Sequence, residues 1–186
     1  AKKLALLAQS PAAPGQLKVH ELIAYGRYPH RKNVGRLTKE DIEKINWAME
    51  VTHTEEFRDR ELAALSGGQR QRVWLAMALA QKSEMLCLDE PTTYLDMAHQ
   101  LEVLEIVQQL NNNFGCTIVM VLHDLNHAAR FSDELIVMRK GKVLHTGTPV
   151  QIMTTEVLKE VFQIDAKIIV DTEHQVPVCF SYNLMK

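Results

Sequence analysis

Two segments of the chain contain residue types that handle phosphate and activate water. Residues 65–69 read Leu-Ser-Gly-Gly-Gln, and glycines at the start of a helix let the backbone amides approach an anion closely. Further along, the apolar run 85–88 ends in the carboxylates Asp89 and Glu90. Carboxylates at the end of a buried strand suit Mg²⁺ binding and water activation. The two segments together, in this order, predict nucleotide hydrolysis.

Each segment has a plainer interpretation when it is taken alone. Ser66 before two glycines is typical of an ordinary helix N-terminus, and Asp89-Glu90-Pro91 could simply end a strand. The longer runs favour chemistry, because 65–72 reads LSGGQRQR and 89–96 reads DEPTTYLD. In this interpretation Ser66 donates its hydroxyl to a phosphate oxygen, Asp89 holds Mg²⁺ through water, and Glu90 is the general base.

Two other polar residues follow apolar, strand-like runs. Gln9 ends the run 4–8, and its uncharged amide can contact both Mg²⁺ and the attacking water. His123 follows 119–122, and an imidazole there can hydrogen-bond a γ-phosphate or orient water. A single histidine at a strand end is usually structural, but the predicted neighbouring strand ends at Asp89, which favours a functional role. The other histidines are interpreted as packing or solvent-facing residues: His20, His30, His53, His99, His127, His145 and His174.

The hydrophobic pattern indicates an α/β protein. Continuous apolar runs alternate with helical patterns, which is typical of a parallel sheet covered on both faces. Thr38-Lys39-Glu40-Asp41 fits a helix capping box, and Lys140-Gly141 indicates a hairpin. A helix over 155–162 is followed by strand-like pieces over 166–170 and 176–180. The predicted division is a core strand and glutamine loop over 1–14, a helical subdomain over 15–83, a sheet core over 84–150 and a C-terminal region over 151–186.

Composition narrows the classes of protein. The 186 residues can form one sizeable core, and a net charge of −2 gives no electrostatic footprint for nucleic acid. No apolar run approaches the roughly 18–20 residues of a membrane-spanning helix. Three widely spaced cysteines, Cys87, Cys116 and Cys179, are interpreted as free thiols in a reducing cytosol.

The motifs resemble those of the nucleotide-binding subunit of an ABC transporter. The matching segments are the signature motif 65–69, the Walker B run 85–89 with Glu90 as catalytic base, the D-loop 94–96, the switch His123 and the Q-loop Gln9. The resemblance implies a P-loop NTPase (RecA-like) parallel sheet with a helical subdomain, and ATP and Mg²⁺ as ligands. The implied nucleotide contacts are Ser66, Gly67, Gly68, Gln69 and Asp96.

The run 19–30 narrows the resemblance to importers of ferric siderophores, ferric citrate, haem and cobalamin. Residues 89–96 with His99-Gln100, and then 122–126, are similar to the siderophore branch. We therefore expect an ATPase subunit for ferric siderophore uptake, with cobalamin or haem as the alternative cargo. These motifs belong to the ATPase and do not touch the cargo.

The family resemblance also implies partners. Two ATPase subunits close head to tail, so that residues 66–69 act on ATP held by the second copy. Two permease subunits and an upstream substrate-binding protein complete the importer, which places this subunit on the cytoplasmic face of the membrane. No G-x-x-x-x-G-K-[ST] phosphate loop occurs in the sequence. We therefore expect a fragment without the Walker A strand and loop, which is inactive alone.

Two other classes of function stay open at this point. One is a non-transport ABC ATPase of DNA repair or translation, which the compact 9–65 stretch without a heptad run disfavours. The other is a non-catalytic interaction fragment, which the missing phosphate loop favours.

Overall fold

In the computed structural model the chain forms two compact units, Ala1–Val121 and Leu122–Lys186. The structure describes residues 2–9, 11–31 and 36–185, so Ala1, Ser10, residues 32–35 and Lys186 lie outside the described residues. Unit 1 contains, in order, β1 (Leu4–Leu7), α1 (Val19–Tyr25), α2 (Lys39–Val51), α3 (Gly67–Ala80), β2 (Met85–Asp89), α4 (Met97–Phe114) and β3 (Thr117–Val121). Short 3₁₀ turns cover Tyr28–His30, Glu55–Phe57 and Leu62–Ala64.

Among the residues of unit 1 that the structure describes, three strands form a parallel sheet in the order β1-β2-β3, which confirms the prediction of parallel pairing. Side chains alternate along each strand. One face is covered by helices and holds buried residues such as Ala5, Leu7 and Leu86. The other face carries exposed apolar side chains, among them Leu6 and Val119. The expectation that both faces are covered therefore fails for the described residues.

Helix starts in unit 1 follow local capping chemistry. Thr38 Oγ1 accepts from the backbone N–H of Asp41 at 3.1 Å, and Asp41 Oδ2 accepts from the backbone N–H of Thr38 at 3.0 Å. This is the capping box predicted from the sequence, and α2 begins directly after it. Asp96 caps α4, which ends at Gly115 in the left-handed region with φ of 62°.

A buried ion pair joins three helices of unit 1. Arg27 and Asp41 are only 3% and 5% exposed. Arg27 Nε donates to Asp41 Oδ1 at 2.8 Å, and Arg27 Nη1 donates to the carbonyl oxygen of Ala80 at 2.9 Å. The end of α1, the start of α2 and the end of α3 are thereby held together around the apolar core.

The pKa of the Asp41 carboxyl reflects two opposed effects. Burial alone raises this pKa, since it disfavours the charged form. The hydrogen bonds from Arg27 and Thr38 and the charge of Arg27 outweigh burial and lower the pKa from 3.8 to about 2. The pair is therefore ionised in the folded protein at neutral pH.

The described residues of unit 2 form two hairpins and three helices. Its elements are α5 (Leu125–Phe131), β4 (Leu135–Arg139), β5 (Lys142–Gly147), α6 (Pro149–Ile152), α7 (Thr155–Phe162), β6 (Ile164–Asp171) and β7 (Val176–Leu184). The predicted hairpin is confirmed, and Lys140 and Gly141 turn it with φ of 49° and 75°. Strands β6 and β7 form a second antiparallel pair. Ala129, Leu158 and Cys179 belong to its main apolar cluster.

Two further findings bear on the sequence predictions. All three cysteines carry free thiols. Within the described part of the chain, none of the helices is long and apolar enough to cross a membrane. The division predicted at 14/15, 83/84 and 150/151 stays a prediction.

Candidate active site

The carboxyl edge of the parallel sheet brings two predicted residues into direct contact. Strands β1 and β2 pair with Leu7 opposite Leu88, so both chains leave the sheet at the same edge. Gln9 and Glu90, separated by 81 residues in the chain, meet there, and Gln9 Nε2 donates to Glu90 Oε2 at 2.5 Å. Asp89, the last residue of β2, is exposed beside them. Ligands of open α/β sheets bind at this edge.

The backbone at Glu90 is itself unusual. Its φ of 51° lies in the left-handed region, which residues with a side chain seldom adopt. The turn is held by Thr93, whose backbone N–H donates to the Glu90 carbonyl at 3.2 Å and whose Oγ1 donates to Glu90 Oε2 at 2.9 Å. Such conformations cluster at functional sites because the surrounding contacts must compensate their cost. Sequence reasoning did not single out Thr93, although its position three residues after a carboxylate could have indicated it.

The donor set at this edge fits Mg²⁺. Asp89 offers carboxylate oxygens and Gln9 offers an amide oxygen, and Mg²⁺ prefers such hard oxygen ligands. The described residues contain no cluster of three or more His, Cys, Asp or Glu side chains that could hold a metal alone. A site with one or two protein ligands suits Mg²⁺, since this ion keeps water molecules and binds substrate phosphates.

The segment 65–69 forms the N-terminus of α3. Ser66 Oγ accepts from the backbone N–H of Gln69 at 3.2 Å, and Gln69 Oε1 accepts from the backbone N–H of Ser66 at 3.0 Å. This reciprocal capping box explains why the helix begins at Gly67. Ser66 and Gly67 are exposed, whereas Gly68 is buried. The start of the helix is therefore accessible at Ser66 and Gly67, and anion binding there stays a prediction.

Polar side chains tie the segment 91–96 to the helices on either side of it. Gln71 Nε2, from α3, donates to the carbonyl oxygen of Pro91 at 2.9 Å. Gln100 Nε2, from α4, donates to the carbonyl oxygens of Thr92 and Leu95 at 3.3 and 3.1 Å. Both glutamines lie in runs that the sequence analysis quoted, 65–72 and His99-Gln100, but neither was predicted to hold the segment 91–96.

Asp96 and His99 form a close pair at the start of α4. Asp96 Oδ1 lies 3.0 Å from the backbone nitrogen of His99 and 2.7 Å from His99 Nδ1. These hydrogen bonds, the backbone one first, lower the pKa of the Asp96 carboxyl. The sequence interpretation placed His99 among the packing or solvent-facing histidines and missed this pair, although the i,i+3 spacing after a capping residue could have indicated it.

His123 is exposed and belongs to unit 2. In the chain it comes two residues after Val121, the last residue of β3. Its role at the nucleotide stays a prediction, as do the nucleotide contacts assigned to residues 66–69 and Asp96.

A parallel sheet with carboxylates at its carboxyl edge, and an exposed helix start with backbone amides in the same unit, are features of nucleotide-binding α/β proteins. The ABC transporter family model matches residues 1–93. The chain is 56% identical over all of its 186 residues to the iron(3+)-hydroxamate import ATP-binding protein FhuC of Bacillus subtilis (strain 168), of which it covers 69%. The chain belongs to the ABC transporter family.

Solved structures support the same fold. A metal-chelate type ABC transporter in an inward-facing conformation matches with a TM-score of 0.84 and 26% identity, over 96% of this chain and 73% of that one. A dimeric bacterial ABC transporter cassette matches with a TM-score of 0.66 and 28% identity, over 78% of this chain and 62% of that one. The fold is thus that of the P-loop NTPase cassettes, and the chain spans about two thirds of the length of these proteins.

Proposed function

We propose that this chain is part of the ATP-hydrolysing subunit of an importer for ferric siderophores. The observation that carries the ATPase assignment is the contact between Gln9 and Glu90 beside Asp89, at the carboxyl edge of the parallel sheet. The cargo assignment is supported by the relative that is named for iron(3+)-hydroxamate import. Its 56% identity extends over the whole chain, well beyond the nucleotide motifs.

The contacts at the edge support a role for Glu90 as general base. Gln9 and Thr93 both donate to the same oxygen, Oε2, and so fix the orientation of the carboxylate. A carboxylate held at a strand end can take the proton of a water that attacks the γ-phosphate. Asp89 and Gln9 would hold Mg²⁺, which neutralises charge on the phosphate oxygens. His123 would bind the γ-phosphate or orient the water.

Residues of the signature segment would act on a second ATP. We propose a head-to-tail homodimer in which Ser66, Gly67, Gly68, Gln69 and Asp96 contact ATP held by the other copy. The dimeric cassette among the structural relatives supports this arrangement. The subunit would work on the cytoplasmic face of the membrane with permease subunits, and closure on ATP would be the switch that drives them.

The 186 residues contain no phosphate-loop sequence, and such a loop supplies much of the phosphate binding in P-loop NTPases. We propose that these residues by themselves bind MgATP weakly and do not hydrolyse it. Titration calorimetry with the isolated chain tests this, and tight binding would contradict it. Activity is therefore measured on the protein at its natural length.

The test of the catalytic assignment is Glu90→Gln in the protein at its natural length. An amide cannot take the proton of the attacking water, so ATP turnover should fall by about 100-fold or more. ATP binding should persist, and the dimer should accumulate in size-exclusion chromatography. Phosphate release and nucleotide binding are measured side by side.

The matched control is Glu84→Gln, the same change at an exposed carboxylate just before the other end of β2. This variant should turn over ATP like the wild type. Turnover retained in Glu90→Gln, or an equal loss in Glu84→Gln, would overturn the assignment of the general base.

The cargo is tested by uptake of a ⁵⁵Fe-hydroxamate siderophore in cells that lack the gene and carry either wild type or Glu90→Gln. Uptake should return only with the wild type. Restoration of labelled cobalamin or haem uptake instead would assign the alternative cargo. ATP turnover that depends on DNA, with no transport defect, would favour a non-transport ATPase.

A further inference from the structure

The buried glycine of the signature segment packs directly against His99. A Cβ atom built on Gly68 would lie 2.6 Å from His99 Cγ and 2.8 Å from His99 Nε2, and nearer still to Cδ2. These separations are far below van der Waals contact, so no side chain fits at Gly68 while the ring stays in place. At Gly67 a Cβ would meet no atom within 4 Å. The two neighbouring glycines are therefore under different constraints.

The other side of the same ring is fixed by Asp96. Because an ionised carboxylate can only accept, Nδ1 of His99 carries the proton and donates to Asp96 Oδ1 at 2.7 Å. The same oxygen accepts from the backbone N–H of His99 at 3.0 Å, so the aspartate is anchored to the first turn of α4. The ring is about two thirds buried, with 34% of the side chain exposed. One imidazole thus contacts the glycine on one side and the carboxylate on the other.

The surrounding contacts leave little freedom for this arrangement. Gln71 connects α3 to the backbone at Pro91, and Gln100 connects α4 to Thr92 and Leu95. The segment 91–96 is therefore held at its start by α3 and near its end by α4. His99 adds the contact that links its last residue, Asp96, to the N-terminus of α3.

We propose that His99 is a positioning residue that keeps the signature segment and Asp96 in a fixed spatial relation, through its ring against Gly68 and its Nδ1–H bond to Asp96. The inference rests on the proposed function, since both segments are assigned there to the nucleotide. His99 acts on Gly68 and Asp96 and not on ATP itself. Because the ring of His99 contacts both residues, a displacement of Asp96 also displaces Gly68. The signature segment 65–69 and Asp96 therefore reach the nucleotide in a fixed relative position.

The contact is tested first by stability, which does not depend on activity. Gly68→Ala should lower the melting temperature by about 5 °C, as a clash of 1–2 kcal/mol would. Adding His99→Ala should restore part of this loss, because the smaller side chain makes room for the new methyl group. Gly67→Ala is the matched control and should not lower the melting temperature. If the double variant melts no higher than Gly68→Ala alone, the packing part of the proposal is wrong.

The functional part is tested by ATP turnover of the protein at its natural length. His99→Ala should lower kcat by roughly 10-fold, since small misplacement of groups near a reacting centre is costly, and change KM for ATP by less than about 2-fold. His99→Gln, whose amide can still donate to Asp96, should recover most of kcat. His99→Phe fills the space without the donor and should recover less. Effects of His99→Ala and Asp96→Ala should be far from additive.

His174→Ala is the matched control for the loss of an imidazole. His174 Nδ1 lies 2.7 Å from Asp171 Oδ2 in the same i,i+3 arrangement, and its side chain is also 34% exposed. Turnover of this variant should equal that of the wild type. One outcome would overturn the positioning role alone. In it, the wild type turns over ATP, Glu90→Gln abolishes turnover, and His99→Ala leaves kcat unchanged. Absence of turnover in the wild type would contradict the proposed function, while the melting experiment would still decide the contact.

Discussion

Unit 1 contains charged side chains in two opposite environments, one buried and one at the edge of the sheet. Arg27 and Asp41 are almost fully buried, and hydrogen bonds hold them in the core between three helices. Glu90 stands at the carboxyl edge of the sheet on a left-handed backbone, within reach of Gln9 and solvent. The first site stabilises the fold, whereas the second leaves a partly exposed carboxylate at the proposed catalytic site. Burial and backbone geometry therefore decide the role of a charged side chain that is held by hydrogen bonds.

The largest expected effect on stability comes from breaking the buried pair. Asp41→Ala leaves the Arg27 guanidinium buried without its counter-charge and also removes a cap of α2, so the free energy of unfolding should fall by about 3–5 kcal/mol. Urea denaturation followed by the fluorescence of the two tryptophans measures it.

Asp59→Ala is the control for that variant, because it removes the exposed partner of His20, where Asp59 is 79% exposed. Surface pairs contribute little, so this loss should stay below about 1 kcal/mol. Equal losses in Asp41→Ala and Asp59→Ala would contradict the distinction between the buried pair and a surface pair.

Acid should reveal the buried pair without a mutation. The pKa of Asp41 is lowered from 3.8 to about 2 in the folded state, so its stabilising contribution is fully present above pH 3.8. It is lost as the pH falls through that range toward 2, and amounts to roughly 2 kcal/mol. Urea denaturation of wild type at pH 5 and pH 2.5 should show this loss, and Asp41→Ala should show a smaller one. An identical pH dependence in both proteins would contradict the low pKa.

The smallest expected effect on stability is at the other site. Glu90→Gly removes a side chain from a left-handed position, where glycine has no steric cost, so relief of strain offsets the lost hydrogen bonds. The free energy of unfolding should change by less than about 1 kcal/mol, while ATP turnover of the protein at its natural length is lost. A fall as large as that of Asp41→Ala would show that Glu90 has a structural role as well.

Local patterns in the sequence were sufficient for several features. The capping box at Thr38, the helix start at Ser66 and the hairpin at Lys140-Gly141 depend on contacts within a few residues, and the structure confirms each of them. The parallel pairing of the strands was also predicted correctly from their continuous apolar runs. The prediction that both faces of the sheet are covered was wrong for the described residues. A continuous apolar run shows that both faces of a strand can be buried, but it does not show which element buries them.

The residues of the candidate site also differ in whether local sequence patterns identified them. Gln9, Asp89 and Glu90 were identified because each follows an apolar run, and the structure places them at one edge of the sheet. Thr93 and His99 were not singled out for the site, although each lies three residues after an acidic residue that it contacts. The contact of His99 with Gly68, in contrast, forms only when α3 and α4 pack together.

The sequence by itself determined the family, the parallel sheet, the helix caps and the residues able to do phosphate chemistry, because these depend on residue type and short-range spacing. The tertiary structure decided which of those residues meet. Gln9 reaches Glu90 across 81 residues, and Arg27 reaches Asp41 from the turn after α1. The ring of His99 occupies the space that a side chain at residue 68 would need, so this position requires glycine. Such contacts depend on how the elements pack, and packing is a property of the whole folded unit.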